Sequence, residues 1–299
     1  MAKFQIYTYM FRPVTENKMG LPYEEFQQIN VQDSIDRKQE ITGKILDDTE
    51  KLKFDYNGIE YEYKTYIKQG GIYVFRIANN GHKPVKVEND FKVVKQNNHP
   101  SCLVIIDNRK DRQVIAIENK GKNSAFGKDP SLAIIIQTTL RKALQDYRLT
   151  LDVTPKFHTS EFWQVVNVAK GLKGIDYVEF PFAYPNLPEI TDMVGEYMTD
   201  VARRTNSEPT LHLQGQNKES VILDQSDLWL LSAIKACAAS GRPILIKPKG
   251  SELRKIGIES PVYEEISNVA LTDLDKKDLF DSKYNTIVEF LNTIKLVYE

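Results

Sequence analysis

Cysteine and histidine are scarce in this chain of 299 residues, with 2 of the first and 4 of the second. Cys102 and Cys237 lie far apart in apolar segments, which suits buried free thiols in a reducing compartment better than a disulfide framework. No zinc-type spacing exists among these cysteines and the histidines. Neither sign of charge is in excess. Lys and Arg number 40 and Asp and Glu 41, a formal net charge of −1, so any contact with nucleic acid needs a local basic surface. No apolar run approaches the ~20 residues of a membrane span. The start, Met-Ala-Lys-Phe-Gln-Ile-Tyr, has no signal-peptide apolar region. Together these absences lead us to expect a cytoplasmic protein without membrane contact. Internal repeats, low-complexity tracts, a Walker pattern and a nucleotide-binding fingerprint are also missing.

What is present reads as a globular protein with a sizeable core and length enough for two domains. Residues 3–12 read as a strand ended by Pro13, and Tyr23–Ile29 as a short helix. Asn57-Gly58 joins Lys51–Tyr56 to Ile59–Ile67 in a hairpin, because Asn-Gly suits a type I′ turn. Lys68–Gly71 turns into a strand over Ile72–Ala78. Asn79–Gly81 turns again, into a polar strand over Val85–Val94. This is an aromatic-rich antiparallel meander, expected as a domain over 1–97.

A mixed α/β domain is expected over 98–299. Strands over Cys102–Asp107 and Gln113–Glu118 form a hairpin. A helix follows to Tyr147, with Asp129 as N-cap and Pro130 at its first position. A strand over Leu149–Thr159 comes next, then a helix from Ser160 to Leu172 closed by Gly174. The remainder alternates: strand Tyr177–Phe182, helix Leu187–Thr205, strands Thr210–Leu213 and Ser220–Leu223, helix Ser226–Ala239, strand Pro243–Lys247 and helix Tyr284–Tyr298. Such alternation indicates an α/β layer architecture.

The chemistry-bearing stretch is Gln113-Val-Ile-Ala-Ile-Glu118-Asn-Lys120. Glu118 and Lys120 are two apart on a strand and share a face. A carboxylate that holds a divalent ion, beside a lysine near the attacking water, is the chemistry of metal-dependent phosphodiester hydrolysis. Hairpin, helix and strand over 102–159 resemble the centre of the PD-(D/E)xK nuclease superfamily. The resemblance implies Glu118 and Lys120 as catalytic residues, Mg²⁺ or Mn²⁺ as cofactor and DNA or RNA as partner. It suggests a bacterial-type setting such as phage defence, by analogy of fold alone. The sequence departs from the family at His99-Pro100-Ser101-Cys102: the proline of the motif is in place, and Ser101 stands where the acid belongs.

Asp107 does not replace that acid. Reflection about Lys110 sets Gln113 opposite Asp107 and Glu118 opposite Cys102, leaving Asp107 ~17 Å along the ladder from Glu118. Candidate substitutes are Glu88, Asp90, Glu24 and Glu25; Asp90 is taken as the second metal ligand beside Glu118. Three readings stay open: an active nuclease, a nuclease-like core that binds without cutting, and a plain core hairpin whose Glu118 and Lys120 are solvated or paired.

Two basic stretches are candidates for phosphate contact. Lys122 and Lys128 flank a glycine-bearing loop after Lys120. Lys247-Pro-Lys249-Gly250-Ser251, with Arg254 and Lys255, follows an apolar strand. Ordinary solvated lysines are the plainer account of both. The near-neutral charge also leaves room for a non-enzymatic scaffold or effector subunit that binds a protein partner or another copy of itself.

Overall fold

The fold is that of a computed structural model, which describes residues 1–16, 23–48, 52–79, 85–89, 92–96, 100–121, 125–126 and 131–299; for 23, 85–89, 92–96 and 277 it describes the backbone alone. Asp90, Lys122, Lys128, Asn79–Gly81 beyond its first residue, Asp129 and Pro130 lie outside this description.

The chain opens with β1 (Ala2–Pro13) and three short helices, α1 (Tyr23–Gln28), α2 (Val31–Asp36) and α3 (Lys38–Asp47). A small hairpin of β2 (Asp55–Tyr56) and β3 (Ile59–Glu60) precedes β4 (Tyr63–Gln69) and β5 (Ile72–Ala78). Asn57 and Gly58 at its tip have φ of 49° and 79°, as the type I′ turn requires. The strand expected over Ile59–Ile67 is broken at Tyr61–Glu62. The single strand expected over Val85–Val94 is instead a hairpin, β6 (Val85–Asn89) with β7 (Lys92–Gln96).

Next come β8 (Ser101–Asp107), β9 (Val114–Glu118), α4 (Leu132–Leu144) and β10 (Leu149–Pro155). Ser131, not Asp129, caps α4: its Oγ accepts the N–H of Ile134 at 3.4 Å. Then follow α5 (Ser160–Leu172), β11 (Ile175–Pro181), α6 (Pro188–Val194), α7 (Glu196–Thr205) and β12 (Thr210–Gln214). The helix expected over Leu187–Thr205 is two helices, because Gly195 sits at φ 92°, ψ 151°, a conformation essentially confined to glycine. The strand expected over Ser220–Leu223 is irregular chain. The last elements are α8 (Leu228–Ser240), β13 (Ile244–Pro248), β14 (Arg254–Ile256), β15 (Tyr263–Ile266), α9 (Asn268–Leu271) and α10 (Phe280–Thr293).

The class is mixed α+β, and among the described residues the named strands pair antiparallel. The large sheet runs β10-β1-β9-β8-β5-β4, with β15 also on β1. β5 pairs with β8 and β1 with β9, so the boundary expected at 97 falls inside this sheet. One of its faces packs on α3 and α4 through Tyr9, Phe11, Phe75, Val104, Ile106, Ile115 and Ile136. The other packs on α10 through Phe4, Ile6, Val74, Leu103, Ile105, Ala116 and Phe290. Covering both faces explains why Cys102–Ile106 is an unbroken apolar run. A second sheet, ordered β12-β11-β13-β14, packs one face on α5, α6 and α8 through Val178, Phe180, Ile244, Ile246, Phe162 and Ile234. Both cysteines are buried, and neither is in a disulfide.

Candidate functional site

The open end of the β8–β9 hairpin holds the expected catalytic pair. The ladder pairs Asp107 with Val114 and Val104 with Ile117, which sets Glu118 against Leu103 rather than Cys102. Sequence reflection is off by one because Gln113 turns out of the ladder. Its side chain donates to Tyr9 O and, at 3.0 Å, to Asn186 Oδ1. Glu118 Oε2 accepts the Leu103 N–H at 3.0 Å and lies 3.2 Å from Lys120 Nζ. Lys120 also donates to Ser101 O at 2.8 Å. The carboxylate and ammonium thus tie the hairpin's open end together.

Beside them is a shallow cleft of about 280 Å³, lined by residues including Gln5, Tyr7, Glu118, Asn119 and Ser131. Among the described residues Glu118 is the single carboxylate lining it, and none group with other His, Cys, Asp or Glu side chains as a metal would need. A divalent ion asks for several oxygen ligands, and one Glu118 oxygen already serves Leu103 and Lys120. The described residues here do not fit Mg²⁺ or Mn²⁺. Glu24 and Glu25 lie exposed on α1.

Asp107 stands at the other end of the hairpin, about 13 Å along the strand. It is fully buried and held by two arginines. Arg109 donates from Nε and Nη2 at 2.8 Å each, and Arg112 from Nε at 3.1 Å. Donating to the Asp107 carboxylate raises the Arg109 pKa. Arg112 reaches on to Leu291 O at 2.5 Å, and Arg109 to Asn292 Oδ1 at 3.0 Å, fixing the hairpin tip to the end of α10. Gln39 of α3 grips the same tip through Arg109 O and Arg112 O at 2.7 and 2.9 Å. Near it Lys156, 2% exposed, donates to Lys295 O and Leu296 O at 3.1 and 2.8 Å. Burial pushes its pKa down to about 7, and Arg112 adds to the shift. These cations cap the last carbonyls of α10 and the chain beyond it, a favourable placement for positive charge.

The second sheet carries the basic candidates. Lys247 is next to last in β13 and donates to Ser251 O at 2.7 Å. The Lys249 N–H donates to Gly174 O at 3.0 Å and its ammonium to Lys218 O. A Cβ built on Gly250 would meet the Lys173 side chain at 3.5 Å. One turn therefore gathers Lys173, Lys218, Lys247 and Lys249. Arg254 and Lys255 follow on β14, both exposed. Among the described residues none of these six forms an ion pair. The sequence reading picked out four of them; Lys173 and Lys218 escaped it, because only the turn's packing brings them near Lys249. Lys255 shares the face of Lys247, whereas Arg254 pairs with Ile246 and faces α5; the basic turn belongs to the second sheet, and Glu118 to the first.

On β11 and β12, Tyr177 and His212 pack their rings 5.0 Å apart at 31°. His212 Nδ1–H donates to Glu179 Oε1 at 2.9 Å. Among the described residues no helix is long and apolar enough to cross a membrane. No family model matches the chain, and no curated protein matches it.

Proposed function

We propose that this protein engages nucleic acid through the basic turn of its second sheet, and that its nuclease-like hairpin holds structure rather than cutting. The observation that carries this reading is the gathering of Lys173, Lys218, Lys247 and Lys249 at one turn, with Lys255 on the same face of the sheet as Lys247 and no acid paired to them among the described residues. A chain of net charge −1 concentrates positive charge there, and phosphate neutralisation by such a surface is the sequence-independent part of nucleic-acid binding. The use of Glu118 and Lys120 to close the hairpin supports the non-cleaving half. A part in bacterial defence would rest on that binding.

The test is fluorescence anisotropy with labelled DNA and RNA over a salt series, with Mg²⁺ or Mn²⁺ added in parallel. The wild type is expected to bind at low salt and to leave the strands intact. Lys247→Ala/Lys249→Ala should weaken binding and lower the slope of log affinity against log salt by ~0.7–0.9 per lost contact. A wild type that binds neither polymer sinks the reading. Metal-dependent cleavage abolished by Glu118→Gln would sink its non-cleaving half.

A protein-partner role has one observation in its favour. Val168 and Leu172 on α5 are 66% and 71% exposed, beside an apolar groove of about 300 Å³ that Pro248 and Arg254 help line. Self-association in solution that Leu172→Glu removes would move the function toward a scaffold.

A further inference from the structure

We infer that the nucleic acid bound here is single-stranded, and that Tyr177 and His212 form the platform on which its bases stack. This rests on the nucleic-acid reading above and adds the class of ligand.

The argument begins with parity. Directly paired residues of antiparallel strands point to the same face. Val178 pairs with Leu213 and Ile246, and Ile244 with Ile256; this face lies on the helices. The alternate residues Tyr177, Glu179, His212, Leu245, Lys247 and Lys255 form the opposite face, and every one of them is half-buried or exposed. A four-stranded antiparallel sheet with one face on a core and the other in water is a stable arrangement. The wet face of such a sheet is ordinarily polar. Here it carries two aromatic rings side by side.

The register sets a cation beside those rings. Tyr177 is flanked by Gln214 on one side and Lys247 on the other. Lys247 opens the turn that holds Lys173 and Lys249. The Glu179 carboxylate takes the His212 Nδ1–H, which fixes the imidazole against Tyr177 and leaves its other nitrogen free of that bond. Two packed rings with a lysine as cross-strand neighbour match a nucleotide, whose base offers a π-face and whose phosphate offers charge. In a duplex the base faces are hidden by stacking, so only an unpaired strand presents them to a protein ring.

The experiment compares labelled oligo-dT and oligo-U with a blunt DNA duplex, using the full chain. Single strands are expected to bind more tightly than duplex. Tyr177→Ala should cost roughly 5- to 150-fold in single-strand affinity, the range for loss of one stacked base. It should leave the salt slope unchanged, whereas Lys247→Ala/Lys249→Ala lowers the slope. Tyr177→Phe keeps the ring and should keep the affinity, and a urea midpoint of Tyr177→Ala close to that of the wild type separates lost stacking from a fold defect. Duplex binding as tight as single-strand binding, or full affinity in Tyr177→Ala, overturns the platform and leaves the nucleic-acid reading standing. Binding of no polymer at low salt overturns both.

Discussion

The N–H of Leu103 donates to Glu118 Oε2 at 3.0 Å, one residue beyond the last paired rung, Val104 with Ile117. A carboxylate expected to hold a metal is instead a side-chain extension of a β-ladder. Removing it should loosen the hairpin's open end. Glu118→Ala is expected to cost about 1.5–3 kcal/mol, the range for a hydrogen bond to a charged group. Lys120→Ala should cost ~1 kcal/mol or less, because its ammonium is more exposed. Urea unfolding monitored by tyrosine and tryptophan fluorescence measures both. No loss in Glu118→Ala would mean that the carboxylate is kept for something other than the ladder.

Asp107 should matter more. It is the buried anion between Arg109 and Arg112 and anchors the hairpin tip to α10. Asp107→Asn keeps the shape and leaves two guanidinium groups short of a counter-charge, for a loss on the order of 3 kcal/mol. A midpoint unchanged in urea would show that the arginines find water instead.

Lys156 gives the fold a pH dependence of definite sign. Its pKa falls from 10.5 unfolded to about 7 folded, so between these values the unfolded chain binds the extra proton. Stability should therefore rise from pH 7 towards pH 9.5 and be flat in this component below 7. Lys156→Met should flatten the rise, whatever it does to the absolute stability. Thermal melts of both proteins at several pH values decide it, and equal slopes would refute the assignment.

Gly195 separates α6 from α7 at φ 92°, and a Cβ there meets nothing within 4 Å. Gly195→Ala should still destabilise by about 1–3 kcal/mol, through backbone strain alone. A neutral result would mean that the two helices can rejoin as one.

Local patterns were readable and distant partners were not. The β8–β9 hairpin, α4 and α5 stood out because both faces or one full stripe of each is buried. The ends of β4 and β5 followed from Gly70-Gly71 between apolar runs. Nothing local tells β1 that it will lie between β9 and β10, nor that Lys173 and Lys218 will reach Lys249. Even alternation over Val85–Val94 concealed a reversal, since two paired strands have the same period as one. The hairpin register slipped by one because Gln113 was counted as a rung, while its amide serves Tyr9 and Asn186. Glu-x-Lys spacing was legible as a motif, but spacing alone cannot say that Leu103 and Ser101 would use both groups.

The place of β1 bears on how the protein is made. Its partners are all made after it: Thr8 pairs with Val114 on one edge, Pro13 with Leu149 on the other, and Ala2 with Ile266 at its start. At ~5–20 residues per second of synthesis, Phe4, Ile6, Tyr9 and Phe11 wait on the order of ten seconds or more for the last of these strands. Pairing of such distant segments is slow. The nascent chain therefore carries a long apolar strand with both edges open, and its yield in a cell should depend on temperature and on chaperone supply more than its final stability suggests.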